Sequence, residues 1–260
     1  MSDTPAVLIE RLPNHVALVT INRPEARNAV NAAVTAGLDR AITETEADDD
    51  IWVVILTGAG HQAFCAGADL KEVSSGNRLG LRTERGGFAG FVYAPRRKPW
   101  IAAVNGPALA GGTELVLTCE MAIAADTASF GLPEVKRSLM AVAGGLFRLP
   151  RVLPRPLALE AILTGEPISP AVALQHGMLN QVVPAADLLA AAQKLAGRIT
   201  VNAPLAVRGS LAVAKRAQDL SDAELVAIGD QEMVTIVASQ DFQEGPRAFI
   251  EKRAPRWTGR

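Results

Sequence analysis

Asn105-Gly106-Pro107-Ala108-Leu109-Ala110-Gly111-Gly112-Thr113-Glu114-Leu115 follows the apolar run Ile101 to Val104 and leads into a segment that reads as helix from Thr113. A turn of small residues between a buried strand and a helix lets backbone come close to a ligand. The unpaired N–H groups of the first helical turn then face outward, with the positive end of the helix dipole behind them. The Gly111 N–H is thus a ready donor for a developing oxyanion. Ala66-Gly67-Ala68-Asp69-Leu70-Lys71, after Phe64-Cys65, is a second turn of this kind. If Ala68 supplies the other N–H, two fixed donors converge on one carbonyl oxygen, each worth roughly 3–4 kcal/mol to an enolate-forming step. Taken singly, either turn reads first as glycine serving backbone geometry alone.

Two carboxylates accompany these turns. Glu114 lies in the first turn of its helix, where the dipole favours the charged form and burial opposes it. Glu134 follows Phe130-Gly131-Leu132-Pro133, so a proline fixes its approach. Each alone is an ordinary helix-start acid; the case rests on both standing beside an oxyanion turn.

Working outward, Val7 to Glu10 and Val16 to Asn22 read as a hairpin around Leu12-Pro13-Asn14-His15, stopped by Arg23-Pro24-Glu25. Asn31 to Thr45 carries Val34, Leu38, Ala41 and Ile42 at helical spacing, and the acidic cluster Glu46 to Asp50 closes it as a solvated turn before a buried strand at Ile51 to Thr57. The strand-turn-helix unit recurs at Ile101 and, more weakly, at Met121 to Ala125. Such repeats argue for an α/β core with parallel elements. Ser74 to Gly90 is polar and glycine-rich, a lid over the site or a plain surface loop. After Leu149, Pro150, Pro154 and Pro156 introduce helices near Leu157 to Leu163, Pro170 to Gln175 and Leu188 to Ile199. Ser221-Asp222-Ala223-Glu224 has the capping-box pattern, and Asp241-Phe242-Gln243-Glu244 offers a similar start for the last helix. We divide the chain into an α/β core, residues 1–198, and a helical oligomerisation region, residues 199–260. The apolar set Leu225, Ile228, Met233, Ile236 and Val237 is more than a three-helix tail can bury, so partner subunits are expected to cover some of it.

Composition narrows the function classes. Of the 260 residues 49% are hydrophobic, enough for a large core, and 27 acidic against 26 basic residues leave a formal net charge of −1. No global field draws in nucleic acid or an anionic membrane, and 4% aromatic residues argue against RNA. Two cysteines and His15, His61 and His176 form no disulfide framework or metal spacing. Residues 1–10 lack a signal-peptide pattern, and no apolar run is long enough to span a bilayer. The expectation is a cytoplasmic enzyme with no cofactor, no metal, and no nucleic-acid or membrane partner. Gly58-Ala59-Gly60-His61-Gln62-Ala63 matches a relaxed dinucleotide fingerprint, but Phe64 to Gly67 continues no amphipathic helix, and no G-x-S-x-G elbow exists.

FCAGADLKE, NGPALAGGTEL and SFGLPE, with NRPEARNAV near the start and FIEKR near the end, closely resemble the enoyl-CoA hydratase/isomerase (crotonase) superfamily, in order from about Val7 to Arg253. The resemblance implies a spiral of repeated ββα units, a helical carboxy-terminal part that trimerises, often as a dimer of trimers, and acyl-CoA substrates, with coenzyme A part of the substrate. By motif position Ala68 and Gly111 supply the oxyanion hole, and Glu114 and Glu134 fall where hydratases carry their two catalytic glutamates. Ala26, Arg27, Ala66, Asp69 and Leu70 match positions lining the CoA groove. Phe249 and Lys252 match a tail segment closing over a neighbouring subunit's adenine end. Arg27 and Lys252 are then local counterions for the phosphates, whereas Lys71 reads as a solvated charge.

In a 2-enoyl thioester the carbonyl withdraws electrons from the alkene, so water adds at C3 while charge collects on the thioester oxygen. Glu114 is assigned as base toward that water and Glu134 as acid toward C2. The chain departs from the hydratase pattern at two places. Ala110 replaces the first glycine of a triple-glycine turn, read as a mild change. Ser138 to Gly145 lacks the usual proline-glycine pair, leaving the Val142 N–H to hold the water and its branched side chain to narrow the pocket floor. Retaining both glutamates favours hydration over Δ3,Δ2-isomerisation, which needs one carboxylate. Residues 133–150 are also similar to carnitine racemase-like members, which keeps a carnitinyl-CoA dehydratase-like substrate open.

Overall fold

Every residue of β3 (Val53–Gly58) is buried, because the strand lies mid-sheet with an apolar layer on each face. Val54 and Leu56 join Val34, Leu38, Ala41 and Ile42 of α1 (Ala32–Ala47) in the main core. Val53 and Ile55 join Leu188, Ala192 and Ala196 of α7 (Leu188–Thr200) in a second cluster. Successive side chains of a strand point to opposite faces, so the continuous run of apolar residues specifies a two-sided strand.

The protein, described from a computed structural model covering residues 4–74, 76 and 78–260, forms a six-stranded sheet in the order β1-β2-β3-β6-β8-β10. Hairpin strands β1 (Val7–Leu12) and β2 (Val16–Ile21) are antiparallel, and β3, β6 (Trp100–Val104), β8 (Met121–Ala125) and β10 (Gln181–Val183) continue in parallel. A second row of short pairings runs Val30–Ala68, Cys65–Ala108, then β7 (Ala108–Leu109) with β9 (Phe130–Gly131), then Phe130–Ile168. Each turn of chain thus adds one long strand to the sheet and one short strand to the second row. This is the expected spiral of ββα units, and it stacks the two small-residue turns side by side.

Asn31 caps α1, its side chain accepting from the Val34 N–H at 3.0 Å. The acidic cluster after α1 is more than a solvated turn: Glu46 accepts the Arg97 and Lys98 backbone N–H groups, and the buried Lys98 ammonium donates to the Thr45 and Asp48 carbonyls. These bonds satisfy carbonyls at the helix end.

The glycine-rich stretch after α2 (Leu70–Ser74) is neither frayed helix nor loose loop where it is described; Ser75 and Asn77 lie outside the described residues. It forms a 3-10 turn at Arg78–Leu81 and a hairpin of β4 (Arg82–Thr83) and β5 (Gly87–Phe88). Leu81, Ala89 and Phe91 anchor it in the core. The helix after Ala110 begins two residues earlier than expected, as α3 (Gly111–Thr118).

Helices α4 (Gly145–Val152), α5 (Arg155–Thr164) and α6 (Pro170–Gln175) lead to β10 and α7. Helices α8 (Pro204–Ala214), α9 (Asp222–Val237) and α10 (Gln240–Ile250) follow. The capping box at Ser221 and Glu224 is formed. The last helix, however, is capped by Ser239, whose hydroxyl accepts from the Phe242 N–H at 3.1 Å. Asp241 and Glu244 instead hold the carboxy-terminal tail: Asp241 accepts from the Thr258 and Gly259 N–H groups, and Glu244 from the Arg253 guanidinium and the Arg256 N–H. Leu225, Ile228 and Ile236 are half-buried on α9, leaving Val226, Met233, Val234 and Val237 exposed.

Candidate active site

The turns at 65–68 and 109–112 are locked together by backbone. Leu109 N–H donates to the Cys65 carbonyl at 3.0 Å, Ala110 N–H to Gly131 at 2.8 Å, and Val30 N–H to Gly67 at 2.8 Å. The Thr113 hydroxyl bridges Ala108 and Gly131 behind them. Gly67 has a φ of +87°, and a Cβ there would stand 2.8 Å from the Ala110 Cβ and 3.1 Å from the Gly111 nitrogen. After these bonds, the N–H groups of Ala68 and Gly111 have no backbone partner among the described residues. Both residues line one cleft of about 1010 Å³, and Gly111 opens a helix whose dipole favours negative charge in front of it.

Ala110 adopts φ 53°, ψ −126°, a region glycine occupies freely and a Cβ does not. Its substitution into the glycine run is therefore strained, not mild, costing on the order of 1–3 kcal/mol. The bond to Gly131 and the contact with Gly67 hold it there.

Glu114, only 3% exposed, reaches the same cleft from α3. Its Oε1 accepts the Gly145 N–H at 2.9 Å. Burial raises its pKa to about 7, with the neighbouring Glu134 adding to the rise and the Gly145 and Ala143 amides opposing it. Glu134 is the second residue of the 3-10 turn Pro133–Arg137 and also lines the cleft. Its pKa is raised by burial, against its own backbone N–H and Arg137. Its Oε2 is buried with no hydrogen-bond partner among the described residues. A buried carboxyl oxygen left unpaired is held ready for an external donor or acceptor. Two carboxyls at elevated pKa in one cleft, beside two amides with no backbone partner among the described residues, can pass protons around a bound carbonyl compound.

The cleft also brings together Ala26, Arg27, Ala66, Asp69, Leu70 and Val142. Asp69 is tied to Arg23 at 3.1 Å. Val142 departs from the sequence expectation in two respects. Its N–H donates to the Met140 carbonyl at 2.9 Å and is not free for water, and its side chain is 70% exposed at the mouth, not on the floor. Phe249 and Lys252 are not brought to the cleft within the chain; Phe249 is 86% exposed at the end of α10.

Four residues that line or brace the site were not singled out in the sequence. Phe88 lies against the Gly111 Cα, since a Cβ there would be 2.4 Å from its ring. The Tyr93 hydroxyl donates to the Val142 carbonyl at 3.0 Å. Arg148 lies over the Tyr93 ring and binds the Val92 and Ala143 carbonyls and the Thr118 hydroxyl, fixing the loop that carries Gly145. Asn28, fully buried, donates to the Ala59 and Ala63 carbonyls, tying the 23–28 turn to the end of β3. Among the described residues no group of three His, Cys, Asp or Glu is placed to hold a metal, and no helix is long and apolar enough to cross a membrane.

The family model for enoyl-CoA hydratase/isomerase matches residues 11–260. A mevalonyl-coenzyme A hydratase of Aspergillus fumigatus is 41% identical over 247 residues, 94% of this chain and 91% of that protein. An enoyl-CoA hydratase of Mycobacterium tuberculosis is 38% identical, covering 98% of this chain and 97% of its own. The crystal structure of an enoyl-CoA hydratase from M. tuberculosis H37Rv superposes with a TM-score of 0.93 at 43% identity, covering 99% of this chain and 100% of that one.

Proposed function

Because the chain belongs to the enoyl-CoA hydratase/isomerase family, we propose that it is an enoyl-CoA hydratase, adding water across the 2,3 double bond of a 2-enoyl-CoA thioester. The observation that carries this reading is the pair of carboxyls, Glu114 and Glu134, beside the unpartnered N–H groups of Ala68 and Gly111 in one cleft. The two amides take the thioester oxygen as enolate charge develops on it. Glu114, fixed through Oε1 by Gly145, takes a proton from water with its other oxygen, and Glu134 delivers a proton to C2. Raised pKa values suit both roles, since the base gains driving force and the acid holds its proton to higher pH than a free carboxyl does. Protons pass through coupled carboxyls, so the titrations belong to the pair.

Ala26, Arg27, Ala66, Asp69 and Leu70 hold the CoA moiety, with Arg27 meeting phosphate charge and no cofactor taking part. Loss of crotonyl-CoA absorbance, run beside a 3-enoyl-CoA, tests the reaction: hydration is expected, and isomerisation without hydration overturns the reading. We assign the enzyme to the cytoplasm and to fatty acid metabolism. We further place partner subunits over Val226, Met233, Val234 and Val237, with Phe249 and Lys252 reaching a neighbour's cleft, in a trimer or dimer of trimers. Light scattering at micromolar concentration is expected to give a multiple of three chains; a monomer would remove that role from the tail.

A further inference from the structure

Of the cations lining the cleft, Arg23 is paired, donating to Asp69 and to the Ala29 carbonyl. Arg137 stands in the field of Glu134. The side chains of Arg27, Lys71 and Arg82 make no hydrogen bond or ion pair with any described residue; Arg27 and Lys71 lie on the side assigned to CoA. The place of Arg82 is fixed by the hairpin, where it pairs with Phe88 across antiparallel strands. Directly opposed residues project from the same face, so the Arg82 side chain leaves the hairpin beside the Phe88 ring. That ring lies on the Gly111 Cα, next to the oxyanion amide. Arg82 is therefore on the Phe88 side of the cleft, the side next to Gly111 where the acyl group would lie, and Leu81, Tyr93 and Met140 are among the apolar residues lining the same cleft.

Arg82 is exposed in the open cleft, and a purely apolar acyl chain laid over it would cover part of its guanidinium and return no partner, which is unfavourable. An anion on the acyl chain reverses the sign by giving the guanidinium a charge-assisted partner. Building on the hydratase reading, we propose that the enzyme prefers acyl-CoA substrates whose acyl chain ends in a carboxylate, bound by Arg82. A trimethylammonium acyl group, as in a carnitinyl thioester, would meet like charge there.

Calorimetry on the full chain tests this with three ligands: adipoyl-CoA, its terminal methyl ester, and free CoA. The wild type is expected to bind the carboxylate form about tenfold more tightly than the ester, a ratio that narrows at high salt. Arg82→Met is expected to bring the ratio to about one, and Arg82→Lys to restore part of it. A ratio of one in the wild type, or a preference surviving in Arg82→Met, overturns the proposal. So does an equal weakening of all three ligands, which would make Arg82 a phosphate contact. These ligands are saturated and cannot be hydrated, so failure of crotonyl-CoA hydration would defeat the proposed reaction while the binding ratio still decides the role of Arg82.

Discussion

Replacing Glu114 with glutamine is expected to lower hydration by roughly 10²–10⁴-fold, the range for loss of a positioned acid or base, while making the folded protein more stable above neutral pH. The two effects share one cause. Burial lifts the Glu114 pKa from 4.5 to about 7, so the folded state binds a proton more tightly than the unfolded chain does. A carboxyl raised in this way adds stability below its unfolded pKa and loses it as pH climbs through the window from 4.5 to about 7. Above that window the buried charge costs on the order of 3 kcal/mol. Glutamine keeps an oxygen for the Gly145 N–H and removes the charge. Glu114→Gln should therefore melt higher than wild type at pH 8 and close to it at pH 4.5. In the wild type, kcat/KM for crotonyl-CoA should fall as pH drops below about 7, because the base becomes protonated. Glu134→Gln should lose activity on a similar scale through the acid. Full rates in both variants would remove the carboxyls from the reaction.

Gly112→Ala should damage the site without touching a carboxyl. A Cβ at Gly112 would stand 2.0 Å from the Cys65 carbonyl oxygen and 2.8 Å from its carbon, both backbone atoms with no rotamer to escape into. The start of α3 must then move away from the 65–68 turn, which pulls apart the Ala68 and Gly111 amides proposed to share the oxyanion. Loss of one oxyanion donor costs roughly 10²–10³ in kcat, and the overpacking costs about 1–3 kcal/mol of stability. Gly197→Ala in α7, where nothing lies within 4 Å of the added carbon, is the control and should be neutral or slightly stabilising. Circular dichroism separates a moved turn from an unfolded chain. Wild-type kcat in folded Gly112→Ala would show that the two turns do not act together.

Much of the layout was legible because it depends on local pattern. The spacing of Val34, Leu38, Ala41 and Ile42 gives α1, the continuous apolar run at 53–56 gives a two-sided strand, and the glycine turn before Glu114 gives a helix start whose first N–H has no helical partner. The start of the last helix was misread because Asp241 and Glu244 mimic a capping pattern, while their carboxylates are taken by Arg253, Arg256, Thr258 and Gly259 from the tail. The stretch 78–90 looked loose because its polar and glycine residues have no periodicity. Its order comes from Leu81 and Ala89 docking in the core and from pairing within the hairpin.

The sequence by itself determined which residues can carry charge and which turns expose an N–H, since both follow from residue type and from near neighbours along the chain. Only the tertiary structure decided that Ala68 and Gly111 share one cleft, that Val142 spends its N–H on Met140, that Ala110 is strained, and that Arg82 stands across from Phe88 with no partner among the described residues. The reason is physical. Hydrogen-bond satisfaction, desolvation and steric contact are properties of what surrounds a group, and here those surroundings come from segments far apart in the chain, brought together as successive turns of the spiral.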